Sequence, residues 1–551
     1  MGRGWLSERI GIWPYALLCL LCLILYAPGL AAIPPLDRDE ARFAQATRQM
    51  LETGDFVRIR FQDEARNKKP IGIHWLQAAA VTAFSSPQSG AIWPYRLPSA
   101  LWATAAVLLT FGLGVRFFNS QLAGLIAGVV TATALGVVIE AHLAKTDAAL
   151  LAAVVAAQGA LGRVYIDTKS SRRIGWLLPL VFWLSEAVAI LLKGPPGPVL
   201  ALLTAGCLSI ADRGVGWLRA LRPLSGLLAL AAIVSPWLIA VQSATAGRFL
   251  SDSLGSDLLP KLVGAQESHG APPGYYLALV VLGFWPGSLF LVPGLVWAWW
   301  QRHAAVCRFL LAWLGPGWVF FELVPTKLPH YVLPLYPALA LLIGGAFAEG
   351  FAKSLTRPAR TVDMAVRVIW GLVTVGLAAA LLQLPAWFGG TISAAVVAAV
   401  AAMLGLALLL LFCAQPGRAA LLSAAVAISF TVPAALAVVP NLDALWLSRT
   451  AAAALTRHPP GPGEGVLSVG YSEPSLVFLL GTTTRLVTAQ PADDQLAGAS
   501  LAFVNARDDA EFHQSLARRG LIAHAVDHVE GFDYSVGGGR VVLTLYRLEP
   551  G

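Results

Sequence analysis

Hydrophobic residues in this chain occur in long uninterrupted runs, with short polar segments between them. From Gly11 to Pro440 the apolar runs reach about 18 residues or more, enough for a helix to cross a hydrocarbon core of about 30 Å. Because the bilayer core offers no water to the backbone, helices are the structure these runs predict. We expect thirteen spans, centred near residues 20, 104, 130, 154, 184, 203, 232, 287, 314, 341, 375, 402 and 429.

The pattern changes near residue 442. Segments Gly465 to Tyr471, Ser475 to Leu480, Ser500 to Asn505 and Arg540 to Arg547 are typical of strands, and Asp508 to Arg519 of a helix. Gly537–Gly539 indicates a hairpin turn. The chain therefore predicts a transmembrane domain over 1–441 and a small soluble α/β domain over 442–551. We find no fixed-period repeat and no paired broken helices, which disfavours a transporter built from inverted repeats.

Composition and charge fit a multi-pass membrane protein. The chain is 57% hydrophobic and 13% charged, against about 25% charged residues in soluble domains. The formal net charge of +8 does not indicate nucleic acid, because the basic residues lie in short loops between apolar runs. Their distribution predicts that the N-terminus lies in the cytoplasm, and an odd number of spans then predicts that the C-terminus lies on the outer side of the membrane. The first run resembles a signal peptide, but the spans after it favour an uncleaved helix.

The first outer loop, residues 31–90, breaks that charge distribution. An outer loop should hold few cations, yet the first part of this loop holds eight, namely Arg38, Arg42, Arg48, Arg58, Arg60, Arg66, Lys68 and Lys69. Arginine and lysine are the side chains that neutralise phosphoryl oxygens. The loop therefore predicts phosphate binding.

A helix is predicted within this loop, over residues 38 to 53. Asp37 is a suitable N-cap with Glu40 three residues later, as in a capping box. Phe43, Ala46 and Met50 form one apolar stripe, and Gly54 suits the C-terminal end. We expect an amphipathic helix lying on the outer membrane surface. Capping is an equally good explanation of Asp37 and Glu40, whereas Asp39 is not needed by the cap and is the better functional candidate.

Further ionisable residues fall at the same predicted membrane face. Asp147 begins the fourth span, shortly after Glu140, His142 and Lys145, while Lys193 lies between spans five and six. Lys327, His330 and Tyr331 precede span ten. Such residues are functional candidates, although lysines that snorkel to the interface would give the same pattern. Glu267 and His269, in the outer loop 242–274, are two possible metal ligands and too few to define a site.

Taken together, these motifs resemble the bacterial 4-amino-4-deoxy-L-arabinose lipid A transferases, within the GT-C glycosyltransferases and related to protein O-mannosyltransferases. The resemblance lies in Asp39-Glu40-Ala41-Arg42-Phe43-Ala44-Gln45, Met50-Leu51-Glu52-Thr53-Gly54-Asp55-Phe56, Lys69-Pro70, Asp147, Lys193-Gly194, the segment from His269 to Tyr275-Tyr276, and Lys327-Leu328-Pro329-His330-Tyr331. It covers the whole membrane region. Phe43 and Phe56 replace the family's usual Tyr and Trp, Gln45 replaces Glu, and Lys68 stands where Glu is frequent before Lys-Pro.

The resemblance implies a GT-C-like fold and an inverting-type transfer of aminoarabinose from undecaprenyl phosphate to a lipid A phosphate, which confers polymyxin resistance. It implies that Asp39, Glu40 and Asp147 are catalytic. The implied donor-phosphate contacts are Arg42, Arg58, Lys69, Lys193, Lys327 and Tyr331, although Arg42 could instead orient Asp39. The implied substrate contacts are Asp55, His269, Tyr275 and His330.

The expected partners are therefore the undecaprenyl-phosphate-linked sugar, lipid A and membrane lipid, without nucleic acid. No cofactor is required, because a lipid-phosphate donor is already activated and the chain has no Walker or dinucleotide motif. A divalent metal is left open. Two alternatives remain: a related enzyme that transfers a sugar such as mannose to protein, and a transporter of a lipid-linked sugar.

Overall fold

The computed structural model describes residues 11–264, 270–350, 355–535 and 537–551. The helices of the membrane region are α1 (Ile12–Tyr26), α2 (Asp39–Thr53), α3 (Gly72–Phe84), α4 (Trp93–Phe118), α5 (Gln121–Thr133), α6 (Leu135–Ala141), α7 (Asp147–Lys169), α8 (Leu177–Lys193), α9 (Pro196–Ala211), α10 (Pro223–Ala244), α11 (Arg248–Leu250), α12 (Leu259–Val263), α13 (Tyr275–Gly283), α14 (Leu291–Trp300), α15 (Ala305–Leu323), α16 (Tyr336–Ala348), α17 (Arg357–Phe388), α18 (Ala394–Leu411) and α19 (Pro416–Pro433). A two-stranded ribbon, β1 (Arg60–Phe61) with β2 (Glu64–Ala65), follows α2.

Twelve of the thirteen predicted span centres fall inside one of these helices, and the remaining centre, residue 287, lies between α13 and α14 at the start of a short 3-10 helix, Gly287–Phe290. Within the described ranges, eight helices are long and apolar enough to cross a membrane, or ten if two bent pairs, α5 with α6 and α13 with Gly287–Trp300, each count as one span. The remaining helices at predicted centres, α1, α8 and α9, have 15, 17 and 16 residues. A multi-pass membrane fold is confirmed, while the count of thirteen spans stays a prediction.

The membrane helices pack into one large apolar core in which α4, α5, α7 and α16 are central. Small residues allow the closest of these approaches. A Cβ atom placed on Gly114 of α4 would lie 2.6 Å from the Cα atom of Gly124 on α5, so neither position leaves room for a side chain. The core brings the N-terminal ends of α2 and α7 to the same face of the bundle as the C-terminal end of α8.

The C-terminal part forms a five-stranded sheet covered by helices. Its elements are α20 (Leu447–Arg457), β3 (Gly465–Val469), α21 (Pro474–Leu480), β4 (Arg485–Val487), α22 (Asp493–Leu496), β5 (Ala499–Asn505), α23 (Asp509–Ala517), β6 (Leu521–Asp533) and β7 (Gly539–Pro550). The strand order is β4-β3-β5-β7-β6, parallel across the first three and antiparallel across the rest. Leu501 and Phe503 of β5 enter one apolar cluster and Ala502 and Val504 the other, so both faces of the sheet are buried. The predicted α/β domain is confirmed.

Three local predictions were wrong. Residues Ser475 to Leu480, predicted as a strand, belong to helix α21, which begins with Pro474 at its first position. Asp37 does not cap α2, because the helix begins at Asp39 after Arg38 and has no side-chain cap. Helix α2 follows the predicted bounds and ends at Gly54 with φ +68°, but it is not an exposed surface helix, since residues around most of its circumference are buried between α3 and α21.

Candidate active site

A polar cavity of about 710 Å³ lies where α2, the β1–β2 ribbon, α7, α8 and the segment before α16 meet. Among the described residues its charged lining is seven cationic side chains and four carboxylates, a formal excess of three positive charges. Of the site residues that the resemblance implies, seven line this cavity: Asp39, Arg42, Lys69, Asp147, Lys193, His330 and Tyr331. The structure therefore gathers residues that lie far apart in the sequence into one cationic site.

Asp39 is the accessible carboxylate at the head of α2. Its side chain is 58% exposed, and the guanidinium of Arg66 lies 3.8 Å from its Oδ1 atom. Arg66 also stacks over the ring of Phe43, with its Cζ atom 4.8 Å from the ring centroid. The preceding residue, Arg38, has φ +62° and ψ −106°, a conformation that costs a non-glycine residue on the order of 1–3 kcal/mol. The strain at Arg38 is maintained directly beside the carboxylate that faces the cavity.

Glu40, the adjacent carboxylate, points away from the cavity. Arg96 donates from Nε to Glu40 Oε1 at 2.7 Å and from Nη2 to Oε2 at 2.8 Å, and both side chains are almost completely buried. The backbone N–H groups of Leu36 and Ala144 donate to the same carboxylate. Because Arg96 also donates to three carbonyls of residues 30–34, this ion pair ties the first loop to α4. The predicted catalytic role of Glu40 has no geometric support, since the residue does not line the cavity.

Asp147 and Glu140 anchor a network of charges on the opposite wall. Lys193 Nζ donates to Asp147 Oδ1, and Lys145 Nζ donates to Glu140 Oε1 at 3.1 Å. His330 lies between them, 3.6 Å from each carboxylate. Burial alone would lower the pKa of the Lys145 ammonium, but the carboxylates of Glu140 and Asp147 outweigh it and hold that pKa above its ordinary value. Lys145 is therefore a permanent cation facing the cavity.

Tyr331 completes this wall. Its ring lies beneath Lys193, with the Nζ atom 5.3 Å from the ring centroid. Lys193 therefore lies between the carboxylate of Asp147 and the aromatic face of Tyr331, on the wall of the cationic cavity.

Several predicted site residues lie elsewhere. Arg58 pairs with Asp55 at 2.5 Å in a separate small depression beside α2. Burial alone would raise the pKa of Asp55, but hydrogen bonds from the backbone and side chain of Arg58 hold that pKa below its ordinary value. Lys327 donates to the carbonyls of Glu322 and Val324, at 2.8 and 2.5 Å, and so caps the end of α15. Tyr275 does not line the cavity, and His269 lies outside the described residues.

The cavity also contains residues that were not singled out from the sequence as site residues. Arg66, Lys68, Lys145 and Lys261 add to its positive charge, and Ser472 of the C-terminal domain contributes to its wall. The excess of cations in the first loop was a signal for Arg66 and Lys68. Nothing local marks Ser472, because its place depends on how the sheet domain docks. The described residues contain no group of three or more His, Cys, Asp or Glu side chains that could hold a metal ion.

The domain docks on the first loop through both polar and apolar contacts. Arg48 donates to the carbonyl of Phe478 at 2.9 Å, and Gln45 donates to Thr482 at 2.7 Å. The ring of Phe478 is fully buried and meets Tyr95 edge-on, with centroids 5.3 Å apart. These contacts fix the sheet domain over the cavity.

The sequence of this chain is similar to two groups of sugar-transferring membrane proteins. The family of dolichyl-phosphate-mannose-protein mannosyltransferases matches residues 14–245. An undecaprenyl phosphate-alpha-4-amino-4-deoxy-L-arabinose arabinosyl transferase 1 of Pseudomonas fluorescens is 30% identical over 61% of this chain and 61% of its own length. A protein of the same description from Pseudomonas paraeruginosa is 28% identical over 59% of each chain. This chain thus spans about three fifths of the length of the curated relatives it matches.

Solved structures extend the match to nearly the whole fold. The crystal structure of ArnT from Cupriavidus metallidurans bound to undecaprenyl phosphate superposes with a TM-score of 0.72 at 19% identity, covering 97% of this chain and 98% of that one. The class of protein is therefore a multi-pass membrane protein with a GT-C-type fold and a small α/β domain. Within that class, the predicted resemblance to the aminoarabinose transferases is confirmed by the relatives.

Proposed function

We propose that this protein is a glycosyltransferase that moves 4-amino-4-deoxy-L-arabinose from undecaprenyl phosphate to a phosphate of lipid A. The observation that supports this most strongly is the cavity itself, with its excess of three positive charges around an exposed Asp39. Donor and acceptor each contain a phosphate, and two anions approach one another only where cations screen them. The relatives' descriptions supply the sugar and the lipid carrier.

In the proposed reaction a phosphate oxygen of lipid A attacks the anomeric carbon of the sugar. The bond from that carbon to the undecaprenyl phosphate oxygen breaks, and the lipid phosphate leaves with the bonding electrons, so the anomeric configuration inverts. Lys69, Lys193 and Tyr331 lie where they can hold the leaving phosphate. The donor is already activated, so the proposal includes no cofactor and no covalent enzyme intermediate.

The carboxylates have a different task in this proposal. An acceptor phosphate is already ionised near neutral pH and needs no general base, so Asp39 orients the acceptor or holds the sugar's amine. That amine is a cation, and Asp147 is a second carboxylate within the same cavity that can accept its hydrogen bonds. Arg66 and Arg42 orient Asp39 from the cavity wall.

We place the protein in a bacterial inner membrane with its N-terminus in the cytoplasm. The cavity and the sheet domain then face the periplasm. This orientation rests on the excess of cations in the loops opposite the cavity.

The test is mass spectrometry of lipid A from a deletion strain complemented with wild type, Asp39→Asn or Asp494→Asn. Asp494 is an exposed carboxylate on the sheet domain and serves as the matched control. We expect lipid A to gain one aminoarabinose with wild type and Asp494→Asn, and at least about 100-fold less with Asp39→Asn at equal expression, the size of effect of a lost transition-state contact. Polymyxin resistance should follow the same order, since the amine reduces the negative charge of lipid A. Unmodified lipid A in every strain, with the donor lipid present, would contradict the proposal.

A second candidate function is transfer of a sugar from a lipid phosphate to protein. The match of residues 14–245 to the mannosyltransferase family favours it. It predicts glycosylated exported proteins in place of modified lipid A, and glycoprotein analysis of the same strains distinguishes the two acceptors.

A further inference from the structure

The parallel part of the sheet has a topological switch point at the carboxyl ends of β3 and β5. From β3 the chain continues to β4 on one side and then to β5 on the other. The loops that follow β3 and β5 therefore diverge at the carboxyl ends of adjacent strands. In open α/β sheets this is the place where ligands bind.

A groove of about 880 Å³ lies at this edge. Hydrogen bonds hold the floor of the groove in place: Arg507 and Asn505 both donate to the carbonyl of Gly470, at 2.9 and 3.1 Å. Gly470 has φ +72°, and a Cβ atom there would collide with Oδ2 of Asp508. The position accepts only glycine, since the loop after β3 is pressed against the loop after β5.

The groove adjoins the cavity at α2. Ser472 and Leu486 line both spaces. The junction is held in place by Gln62, whose side-chain amide donates to the carbonyls of Thr482 and Thr484. The two spaces therefore lie side by side, and a ligand that extends past Ser472 would reach both.

The chemistry of the groove differs from that of the cavity. Its lining includes Arg507, two carboxylates, Asp508 and Glu511, and two carboxamides, the exposed Gln490 and the half-buried Gln495. One guanidinium against two carboxylates makes a formal excess of one negative charge, which disfavours phosphate. Planar carboxylate, carboxamide and guanidinium groups each present paired donors or acceptors, which match the adjacent hydroxyls of a sugar.

We propose that this groove binds the sugar headgroup of the acceptor glycolipid while the cavity at α2 takes the acceptor's phosphate. This inference rests on the proposed function, because it assumes a glycolipid acceptor. It assigns to the sheet domain a role in choosing the acceptor, and it makes Gln490 and Glu511 specificity residues that do not touch the reacting atoms.

The experiment uses the full chain in detergent and two readouts. The first is equilibrium binding, by NMR, of the water-soluble phosphorylated glucosamine disaccharide obtained by fully deacylating lipid A. The second is the KM for lipid A in the transfer reaction. Two variants alter the groove: Thr488→Trp fills it from an exposed position, and Gln490→Ala with Glu511→Ala removes polar groups. The matched control is Gln514→Ala with Glu549→Ala, an exposed amide and carboxylate outside the groove.

We expect both groove variants to weaken disaccharide binding and to raise the KM for lipid A at least fivefold. Their kcat should stay within twofold of wild type, and the control should match wild type in both readouts. Unchanged binding and KM in the groove variants would overturn the inference while leaving the transferase intact. Disaccharide binding that depends on the groove, in a protein that transfers no sugar to lipid A, would overturn the proposed function instead. A Ser/Thr-rich peptide that binds with the same dependence on the groove would also overturn the inference and identify a protein acceptor.

Discussion

Asp39 and Glu40 are adjacent in the sequence, yet they occupy opposite environments. Asp39 is more than half exposed in the cavity, whereas Glu40 is buried and makes two hydrogen bonds to Arg96. The helix turns about 100° per residue, so one of two neighbours can face the site while the other faces the core. A pair of acidic residues therefore divides into one carboxylate that faces the cavity and one that is held in a buried ion pair.

That division predicts opposite outcomes for two conservative changes. Glu40→Gln removes one charge of a buried pair and should destabilise the fold by about 3–5 kcal/mol, measured as a lower midpoint of thermal unfolding in detergent. Asp39→Asn should leave that midpoint nearly unchanged and abolish transfer. The double change Glu40→Met with Arg96→Met removes both charges and should recover part of the lost stability. A wild-type unfolding midpoint for Glu40→Gln would contradict the structural role.

Lys193 and Lys327 have similar sequence signals, but their substitution should have different effects. Lys193 lines the cavity, so Lys193→Met should reduce transfer by about 100-fold, as for loss of a group that stabilises developing charge. The ammonium of Lys327 donates its hydrogen bonds to carbonyls at the end of α15. Lys327→Met should therefore lower the unfolding midpoint and leave kcat per folded molecule within a few-fold of wild type. The comparison requires kinetics normalised to folded protein. Equal losses of kcat in the two variants would argue that Lys327 also acts on the substrate.

At the scale of elements, helix α2 was predicted closely and helix α21 was not. The first has a stripe at helical spacing and a glycine stop, and both signals lie within the segment itself. The second is a six-residue apolar run, Ser475 to Leu480, too short for periodicity to separate helix from strand. Its helical form is set by Pro474 at the first position and by packing against α2.

The residues of the candidate site likewise differ in whether the sequence could predict them. Residues on the first loop, α7 and α8 were predicted together because the membrane topology places them at one face. Ser472 and the groove could not be predicted, since the docking of a domain depends on contacts between distant residues such as Arg48 and Phe478. The sequence could not tell that Lys327 donates to the carbonyls at the end of α15, because a lysine that caps a helix and a lysine that binds phosphate look alike in sequence.

The end of α2 offers a test of the helix itself. Gly54 has φ +68°, and a Cβ atom on it would meet no heavy atom within 4 Å, so only the backbone conformation opposes a side chain there. Gly54→Ala should cost about 1–2 kcal/mol, the penalty of the left-handed region, seen as a lower unfolding midpoint. Gly54→Asn should cost less, because asparagine tolerates this region. Equal midpoints for wild type and Gly54→Ala would show that the loop relaxes instead.

At the scale of the whole molecule, the sheet domain and the membrane domain meet at a partly buried acidic cluster, Asp37, Glu473 and Asp533. Asp37 of the first loop accepts a hydrogen bond from Ser475, and its backbone N–H donates to the hydroxyl of Tyr534 at 2.9 Å. Burial raises the pKa of the Asp37 carboxyl to about 7, with nearby Glu473 and Asp533 adding to the rise. Burial likewise raises the pKa of Glu473, which Arg38 and Arg42 oppose. Docking of the two domains is therefore linked to protonation.

The sign of that linkage predicts how docking depends on pH. Because the docked state raises the pKa of Asp37 from an ordinary value of 3.8 to about 7, docking binds a proton. It is strongest below the lower value and weakens by about tenfold per pH unit as the pH rises towards 7, with little further change above. The protection factors of the α21 amides in hydrogen exchange, which are corrected for the intrinsic pH dependence of exchange, should accordingly be lower at pH 8 than at pH 5. Asp37→Asn, which stays neutral, should remove most of this difference, whereas Asp494→Asn should retain it. Protection factors that are independent of pH in the wild type would show that Asp37 does not control docking.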